Sequence, residues 1–286
     1  MRLCTFLRDG EARLGAETAA GIVDLRAADA ALPATLRELL AAGEEALARA
    51  ARAAAGAAAA HLRPRDQVTL LPPIPNPSKI VCVGLNYRDH AAEVKMDLPE
   101  HVTIFAKWPN TLIGDGAPIV IPRASHRVDY EAELAFVIGA RAHHVPEERA
   151  FEVIAGYTCF NDVSVRDYQS RTSQWTIGKV FDTHGPCGPV LVTRDEIPDP
   201  GNLRISCSID GEMLQDSSTS QMVFSVPRLV AELSAVMTLE PGDIVATGTP
   251  AGVGTSRQPR RWIQPGERVR VEIERIGALE NPAVAE

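Results

Sequence analysis

Hydrophobic and polar residues alternate along much of the chain after its first quarter, with a period of two that matches a β-strand. In residues 203–209 (LRISCSI) apolar side chains take every second position, and the Asp210-Gly211 pair that follows favours a tight hairpin turn. Residues 266–277 (GERVRVEIERIG) alternate in the same way. Shorter apolar runs, among them KIVCVG, TIFAK and AGYTCF, are typical of buried strands. The pattern predicts a β-rich α+β domain over residues 79–286.

Helical periodicity is rarer in this domain. It predicts four helices, in the segments YRDHAAEV, VPEERAFEVI, VRDYQSR and VPRLVAELSAVM. Ser225 precedes the last segment as a candidate N-cap, and Pro227 lies in its first turn, where proline is tolerated.

The N-terminal part of the chain differs in pattern. Residues 1–71 are predicted to form a small α/β domain, with a hairpin in 2–25 and two helices in TLRELLAAG and EEALARAARAAAGAAAA. Thr35 and Glu38 have the spacing of a capping box at the start of the first helix. Four prolines follow within 72–78, which we interpret as a linker because proline interrupts helices and central strands. No reactive group of side chains is evident before this linker, so a packing or dimer-supporting role is expected there.

The amino-acid composition and the net charge argue against several classes of binding partner. Of 286 residues, 45% are hydrophobic and 23% are charged, and the formal net charge is -8. This charge argues against a nucleic acid or an anionic membrane as the main partner. Five scattered cysteines without a CxxC pair argue against a disulfide framework or a zinc site, so we expect a cytoplasmic protein. The sequence contains no apolar run long enough for a signal peptide or a membrane span.

Candidate chemistry begins in the segment VDYEAELAFVIG, which is predicted to be one buried strand. Glu131 and Glu133 stand two residues apart and therefore share one face of that strand. Asp162 follows another apolar run about thirty residues later. Three carboxylates with oxygen-only donors suit a hard cation such as Mg²⁺, Mn²⁺ or Ca²⁺. Without a metal we expect raised pKa values for both glutamates. The alternative is an edge strand whose two glutamates face water.

Polar residues near Asp162 extend this group. If the segment is helical from Asp162, then Arg166 and Gln169 lie on the same helix face. Such an Arg-Gln pair suits a substrate that bears a carboxylate, because arginine forms bidentate hydrogen bonds. An ordinary helical Asp-Arg pair is the alternative.

Two further residues are candidates for contacting substrate. Lys179 lies in WTIGKVFDTHGPCGP and, near a metal, would stabilise negative charge on an oxygen; otherwise it is a lysine that reaches solvent. Thr249 lies in the Gly-rich loop ATGTPAGVG, residues 246–254, which lacks the spacing of a nucleotide-binding motif. Its hydroxyl and the backbone N–H groups around it are candidates for holding a substrate carboxylate.

Six segments together resemble, in the same order, the fumarylacetoacetate hydrolase family: GLNYRDHAAEV, FAKWPNTLIG, VDYEAELAFVIG, NDVSVRDYQ, GKVFDTHGPCGP and EPGDIVATGTPAGVG. The resemblance covers residues 78–275 and is to the branch that includes acylpyruvases, 2-hydroxyhepta-2,4-diene-1,7-dioate isomerases and oxaloacetate decarboxylases. It implies a mixed β-sandwich roll, a homodimer, and Mg²⁺ as cofactor, with Mn²⁺ or Ca²⁺ as alternatives.

The resemblance also implies roles for individual residues. By position, the metal ligands match Glu131, Glu133 and Asp162. The substrate-contacting residues match Arg166, Gln169 and Thr249, and the catalytic residues match His90, Glu93 and Lys179. His90 and Glu93 lie three residues apart, a spacing that lets the carboxylate orient the imidazole as a general base if the segment is helical. A solvent-facing histidine on a short helix is the alternative.

The implied chemistry acts on small 1,3-dicarbonyl or 2-oxo acids. We expect a hydrolase that cleaves a carbon–carbon bond of an acylpyruvate-type acid through an enolate held at the divalent ion, with His90 activating water. One alternative is an isomerase, tautomerase or decarboxylase of a 2-oxo dicarboxylic acid, of the oxaloacetate or 2-hydroxyhepta-2,4-dienedioate type, at the same site. A second alternative is a catalytically silent protein that binds metal and oxo acid.

Overall fold

The computed structural model describes all 286 residues and contains nineteen strands. The first five lie in the N-terminal part: β1 (Arg2–Arg8), β2 (Glu11–Thr18), β3 (Gly21–Asp24), β4 (Leu62–Arg63) and β5 (Thr69–Leu71). The remainder are β6 (Ile80–Gly84), β7 (Thr103–Lys107), β8 (Leu112–Ile113), β9 (Ile119–Ile121), β10 (Val128–Asp129), β11 (Ala132–Ile138), β12 (Ile154–Asn161), β13 (Ser164–Val165), β14 (Gly185–Thr193), β15 (Arg204–Ile209), β16 (Glu212–Ser218), β17 (Ile244–Ala246), β18 (Arg268–Ile273) and β19 (Gly277–Ala285). The strand-rich α+β architecture is confirmed.

Six α-helices connect these strands. They are α1 (Leu25–Ala28), α2 (Leu36–Ala41), α3 (Gly43–Ala55), α4 (Arg88–Glu93), α5 (Arg166–Gln169) and α6 (Val226–Val236). Short 3-10 helices occupy Ala59–His61, Arg65–Gln67, Pro109–Thr111, Glu147–Val153, Thr176–Gly178, Arg194–Glu196, Thr219–Gln221 and Gly254–Ser256. The segment VPEERAFEVI, predicted as an α-helix, therefore forms a 3-10 helix instead. None of the helices combines the length with the apolar composition that a bilayer span requires.

The strands form one large sheet and two smaller ones. The large sheet has the order β4-β3-β2-β1-β14-β12-β11-β17-β6-β7, with β5 added beside β1 and β8 beside β14. A five-stranded sheet has the order β16-β15-β18-β19-β9, and β10 pairs with β13. Strand β11 is buried along its whole length. Leu134 and Phe136 belong to the core cluster that includes Ile205 and Val271 of the smaller sheet, whereas Val137 packs on the opposite side. Both faces of β11 are therefore covered, as its continuous apolar sequence suggests.

The N-terminal part joins the same sheet as the rest of the chain. Arg2 and Leu3 of β1 pair with Val192 and Leu191 of β14. The linker 72–78 lies between β5 and β6 and leaves this sheet unbroken. The domain boundaries at 1–71, 72–78 and 79–286 stay a prediction.

Local sequence signals at turns and caps are confirmed. The hydroxyl of Thr35 accepts from the amide of Glu38, and the Glu38 carboxylate accepts in return from the amide of Thr35, which completes the capping box. Ser225 caps α6. Asp210 and Gly211 have φ values of 48° and 85° and connect β15 to β16, as a two-residue hairpin turn requires.

The segment VDYEAELAFVIG is not one strand, contrary to the prediction. It divides into β10 and β11, and residues 130 and 131 lie between them. The amide of Tyr130 donates to its neighbour Asp129 (2.9 Å), and the amide of Glu131 donates to the side chain of Asn161 (3.0 Å). These two amides therefore donate to side chains and not to the backbone of a neighbouring strand. The carbonyl of Glu131 still accepts from the amide of Asp162 (2.9 Å), which keeps Glu131 beside the end of β12.

Candidate active site

Three predicted carboxylates converge at the end of neighbouring strands. Glu131 precedes β11, Glu133 lies in it, and Asp162 follows β12, its antiparallel neighbour. One oxygen of each side chain lies within 4.8 Å of the other two, and all three residues are buried. The alternative of an edge strand with glutamates in water is wrong. The role of these residues as metal ligands stays a prediction.

Two buried lysines contact this group. The Nζ atom of Lys179 lies 2.8 Å from an oxygen of Glu131 and 2.8 Å from one of Asp162. The Nζ atom of Lys107 lies 2.7 Å from the other Asp162 oxygen. Burial lowers the pKa of Lys179, but the charges of Asp162 and Glu131 outweigh burial and raise it, so the ammonium is retained. We call the three carboxylates and these two lysines the floor. Lys179 is therefore not a lysine that reaches solvent.

Lys107 was not predicted as a site residue. It ends the apolar run TIFAK, where a terminal lysine ordinarily reaches solvent. The structure buries it completely, with Nζ also donating to the carbonyl of Val163 (3.1 Å). The only signal in the sequence was its place in the motif segment FAKWPNTLIG, of which it is the third residue.

The two glutamates differ in charge environment. Burial, followed by the charges of Asp162 and Glu131, raises the pKa of Glu133 well above its ordinary value, which confirms the expectation for this residue. Burial also acts to raise the pKa of Glu131, but the charges of Lys179 and Arg166 outweigh it and hold the pKa below its usual range. The expectation of a raised value is wrong for Glu131, because two cations lie next to it.

The floor suits a divalent cation. Glu133 forms no ion pair, and its side chain accepts a hydrogen bond from the amide of Gly248 at 2.9 Å. A buried carboxylate without a cation is costly, and added positive charge would relieve this cost. The donors are all oxygens, the chemistry that Mg²⁺, Mn²⁺ and Ca²⁺ prefer. Glu131, Glu133 and Asp162 fit such an ion.

Arg166 borders the floor in a different way from the one predicted. Helix α5 begins at Arg166, so Asp162 lies outside it and the two do not share a helix face. The guanidinium pairs with Glu131 (2.7 Å) and with Asp129 (2.8 Å), and it donates to Gln169 (2.9 Å). Asp129 is fully buried and was not predicted. The Nη2 atom of Arg166 is buried and has no hydrogen-bond partner.

The predicted base and its partner lie on α4. The Nδ1 atom of His90 is 3.0 Å from Glu93, whose second oxygen accepts from the amide of Gly252 at 2.8 Å. Because an ionised carboxylate only accepts hydrogen bonds, this contact assigns the imidazole proton to Nδ1 and leaves the lone pair on Nε2. The predicted orientation of the imidazole by Glu93 is therefore present. We call α4 and the Gly-rich loop, residues 246–254, the wall.

Backbone amides of the Gly-rich segment hold carboxylates of the protein itself. Gly248, Gly252 and Gly254 donate to Glu133, Glu93 and Asp129 respectively, at distances of 2.9, 2.8 and 2.7 Å. These amides are therefore engaged, and they are not available for a substrate carboxylate as predicted. They fix the position of the wall relative to the floor.

Thr249 in the same loop contacts Gln215, a buried residue that was not predicted. Gln215 accepts from the amide of Ala132 (2.9 Å) and donates to the carbonyl of Pro250 (2.9 Å). These two contacts identify the oxygen and the nitrogen of its side-chain amide. Its nitrogen also donates to the Thr249 hydroxyl (2.9 Å). The hydroxyl oxygen thus accepts from Gln215, and its own proton is left to donate to a ligand.

Seven of the nine predicted residues line one cavity of about 200 Å³. They are Glu131, Glu133, Lys179, Arg166, Gln169, Thr249 and His90. The other two, Asp162 and Glu93, stand behind Lys179 and His90, which they contact. Val83, Phe105 and Trp175 supply apolar surface. Trp175 packs over Gly84 so closely that an added Cβ would lie 2.4 Å from its ring, which explains the glycine in this motif.

Known proteins are similar to this chain in sequence. The sequence profile described as fumarylacetoacetate (FAA) hydrolase C-terminal matches residues 79–284. The chain is 46% identical over 276 residues to oxaloacetate tautomerase fahd2, mitochondrial, of Xenopus laevis, covering 95% of this chain and 86% of the relative.

Two solved structures are similar across the whole chain. One is 2-hydroxyhepta-2,4-diene-1,7-dioate isomerase from Mycobacterium marinum, with 33% identity, a TM-score of 0.79, and coverage of 100% of this chain and 99% of that one. The other is maleylpyruvate hydrolase from Sphingobium sp. SYK-6 in complex with manganese (II) ion and pyruvate, with 32% identity, a TM-score of 0.83 and the same coverage. With the profile match over 79–284, these likenesses confirm the fold and the resemblance: the chain belongs to the fumarylacetoacetate hydrolase family.

Proposed function

We propose that this protein is a divalent-metal-dependent tautomerase of a 2-oxo dicarboxylic acid of the oxaloacetate type. One observation carries the proposal: an imidazole with its lone pair on Nε2 lines the same cavity as Glu131 and Glu133. The likeness to an oxaloacetate tautomerase over 95% of the chain supports this function better than the carbon–carbon hydrolase that we first expected.

The residues of the chain would divide the work as follows. His90 removes a proton from C3 of the keto acid, and a proton returns to the C2 oxygen, so no carbon–carbon bond breaks. Glu93 keeps the imidazole in the tautomer that accepts this proton. Lys179 places a positive charge beside the C2 oxygen, where negative charge develops. Thr249 and Gln169 donate hydrogen bonds to the acid groups.

The metal would be held by Glu131, Glu133 and Asp162. When bound, a divalent ion supplies Lewis-acid stabilisation of negative charge on a carbonyl oxygen. The manganese in the similar maleylpyruvate hydrolase supports a metal at this site, and Mg²⁺, Mn²⁺ or Ca²⁺ suits the donors.

A carbon–carbon hydrolase is the second candidate. The specific observation in its favour is pyruvate in the structure of the maleylpyruvate hydrolase, to which this chain is 32% identical. In that reaction His90 would activate water for attack on the carbonyl remote from the 2-oxo acid. A homodimer, the appended N-terminal domain and a cytoplasmic location stay predictions.

Proton NMR in D₂O separates the candidates. The Mg²⁺-loaded protein is incubated with oxaloacetate and, separately, with an acylpyruvate, beside samples that contain Mg²⁺ alone. A tautomerase accelerates deuterium exchange at C3 of oxaloacetate and yields no additional pyruvate. Pyruvate released from oxaloacetate would identify a decarboxylase, and pyruvate released from the acylpyruvate would identify a hydrolase. Oxalate binding without exchange or product would identify a silent binding protein.

A further inference from the structure

Asp129 connects two elements that border the cavity, although it does not line the cavity itself. It lies in β10 opposite Ser164 of β13, and helix α5 begins two residues after Ser164, at Arg166. This register places the Asp129 carboxylate beside the start of α5. The residue is fully buried, and the acceptor capacity of a buried carboxylate must be satisfied by donors from the protein.

The two oxygens of this carboxylate have different partners. Oδ1 accepts from the backbone amides of Tyr130 (2.9 Å) and Gly254 (2.7 Å). Oδ2 accepts from Nε of Arg166 (2.8 Å) and from the amide of Thr255 (2.9 Å). An added Cβ on Gly254 would lie 2.6 Å from Oδ1, which explains the glycine at this position. One oxygen therefore holds backbone alone, and the other also holds a side chain of the cavity.

The guanidinium of Arg166 has only one nitrogen left for a ligand. Nε donates to Asp129. Nη1 lies 2.7 Å from Glu131 and 2.9 Å from the side-chain oxygen of Gln169. Nη2 is buried and has no hydrogen-bond partner, which is unfavourable for a donor. Because Arg166 lines the cavity, an oxygen of a bound ligand is the partner that Nη2 requires.

The same contacts orient the side chain of Gln169. Its oxygen accepts from Nη1 of Arg166, so its nitrogen is left to donate to a ligand. Gln169 and Arg166 both line the cavity. The direction of the Arg166 guanidinium, which Asp129 holds at Nε, therefore also determines which end of the Gln169 amide is free.

We propose that Asp129 is a positioning residue for carboxylate binding, which holds Arg166 so that its Nη2 and the side-chain nitrogen of Gln169 donate together to a ligand carboxylate. This inference rests on the proposed function, because it takes a carboxylate as the ligand. Arg166 then gives the ligand one nitrogen, and not the bidentate pair of hydrogen bonds that the sequence suggested, because Asp129 and Glu131 occupy the other two.

The substitution Asp129→Asn tests this role. Asparagine keeps one oxygen for the backbone amides and places an amide nitrogen against Nε of Arg166, so the guanidinium loses its acceptor. Calorimetric titration of the Mg²⁺-loaded protein with oxalate should give a Kd about tenfold higher than that of the unaltered protein. In C3 exchange of oxaloacetate, KM should rise by a similar factor while kcat stays within about twofold, because binding is weakened and proton transfer by His90 is not.

Asp243→Asn is the matched control. Asp243 is also fully buried, accepts from the amides of Lys79 (3.0 Å) and Glu240 (2.8 Å), and does not line the cavity. Both variants should unfold at a lower temperature than the unaltered protein, because each alters a buried acceptor of several hydrogen bonds. Only Asp129→Asn should weaken oxalate binding, which separates positioning from a general loss of stability.

A double variant shows whether Asp129 acts through Arg166. Arg166→Gln should itself weaken oxalate binding by about tenfold or more, since a hydrogen bond to a charged group is lost. The combination of Asp129→Asn with Arg166→Gln should bind oxalate no more weakly than Arg166→Gln alone. The reason is that the side chain that Asp129 positions is already absent.

Chemical rescue gives a test that does not depend on how the Asp129 variant folds. Arg166→Ala leaves Asp129 and Glu131 without the guanidinium that they share. Guanidinium chloride, at concentrations far below those that unfold proteins, should restore part of the oxalate affinity, because it can contact both carboxylates and still donate to the ligand. Ammonium chloride at the same concentration should not, since a compact cation lacks the planar fork.

The outcomes separate this inference from the proposed function. Normal oxalate binding by Asp129→Asn, losses that add in the double variant, or equal rescue by the two cations would overturn the positioning role and leave the tautomerase standing. If oxalate binding responds as expected in the variants and in the rescue, but the unaltered protein exchanges no deuterium at C3 of oxaloacetate, the positioning role is supported and the tautomerase is overturned.

Discussion

The floor of the cavity is held by ion pairs between buried side chains, whereas the wall is held by hydrogen bonds that backbone amides donate to side-chain carboxylates. In the floor, Lys107, Lys179 and Asp162 are almost completely buried. In the wall, the side chains of His90 and Glu93 are 15% and 21% exposed. Glu93 contacts the Gly-rich loop through one hydrogen bond, which it accepts from the amide of Gly252. The groups that would hold charge are thus placed in the core, and the group that would move a proton is placed at the solvent boundary.

This difference in contacts determines how substitutions in the floor and in the wall affect the protein. A buried ion pair that loses one partner leaves an uncompensated charge, so changes in the floor should affect stability as well as activity. A partly exposed hydrogen bond can be replaced by water, so changes in the wall should affect chemistry more than folding. Four predictions test this division, in order of decreasing expected effect.

Replacing the base should give the largest effect. His90→Gln removes the Nε2 lone pair, and we expect the rate of C3 exchange to fall about 10²–10⁴-fold, the range typical of a positioned general base. Thermal stabilisation by Mg²⁺ should remain, because His90 lies in the wall. The matched control is His101→Gln, an exposed histidine beyond α4. Unchanged exchange in the His90 variant would remove this residue from the proposed chemistry.

A buried histidine near the floor should contribute to the response of stability to acid. Burial lowers the pKa of His184 from 6.5 to about 4, and its Nε2 contacts the carbonyl of Val120 at 2.9 Å. The unfolded chain therefore takes up a proton more readily between these two values. Stability is fully present above pH 6.5 and is lost as the pH falls towards 4, by about 3 kcal/mol in total.

The variant His184→Gln keeps a donor for Val120 but does not titrate. Its free energy of unfolding in urea should fall less steeply between pH 6.5 and 4 than that of the unaltered protein. His126→Gln, an exposed histidine, should leave the slope unchanged. Equal slopes in the unaltered protein and the His184 variant would contradict the prediction.

Metal binding should depend on the carboxylate that has no cation partner. Adding Mg²⁺ or Mn²⁺ to about a hundredfold above Kd should stabilise the unaltered protein by about 2.7 kcal/mol. Glu133→Gln should abolish this gain. It should also leave the metal-free protein at least as stable as before, because burial and the charges of Asp162 and Glu131 already oppose the ionised form of this side chain.

Thermal and urea unfolding with and without metal measure both effects. Glu148→Gln, an exposed glutamate, should respond to metal like the unaltered protein. If the Glu133→Gln protein is less stable than the unaltered protein without metal, burial of the Glu133 carboxylate does not destabilise the fold. If the variant still gains stability from Mg²⁺, Glu133 is not a metal ligand.

The smallest effect concerns the hydrogen bond from Gln215 to Thr249 of the wall. Gln215→Met removes the donor that directs the Thr249 hydroxyl towards the ligand. We expect it to weaken binding of oxalate to the Mg²⁺-loaded protein by about tenfold, as Thr249→Val should, since one hydrogen bond to a charged group is lost. The double variant should be no weaker than either single one.

Calorimetric titration measures these affinities. Thr249→Ser keeps the hydroxyl and should bind oxalate almost normally, and Gln67→Met, at an exposed site, should have no effect. Losses that add in the double variant would show that Gln215 does not act through Thr249.

Sequence pattern predicted the local conformation of the chain well where the information is local. Asp210-Gly211, the capping box of Thr35 and the apolar pattern of β11 each determine their own conformation, and the structure agrees. The convergence of Glu131, Glu133 and Asp162 follows from two adjacent strands, so the resemblance of motifs was enough to indicate it.

Contacts between distant segments were not predictable in this way. Lys107 lies 55 residues from Asp162, and Gln215 lies 83 residues from Ala132, so neither partner can be inferred from local pattern. The same limit explains why the predicted rise in the pKa of Glu131 was wrong, because the charges of Lys179 and Arg166 lower it. Charge environment is a property of the assembled site, and single segments do not contain it.

Because the large sheet is continuous, the N-terminal part covers an edge of strand β14. Strand β1 pairs with β14, and Met1 and Thr193 add a backbone hydrogen bond of 2.8 Å at the same edge. Without residues 1–71, the row of amides and carbonyls at Leu191 and Val192 would be open, and an open strand edge is a template for pairing with another chain. Strand β1, by covering this edge, would protect it from such pairing, and two strands, β14 and β12, separate β1 from β11, which carries Glu133 of the floor.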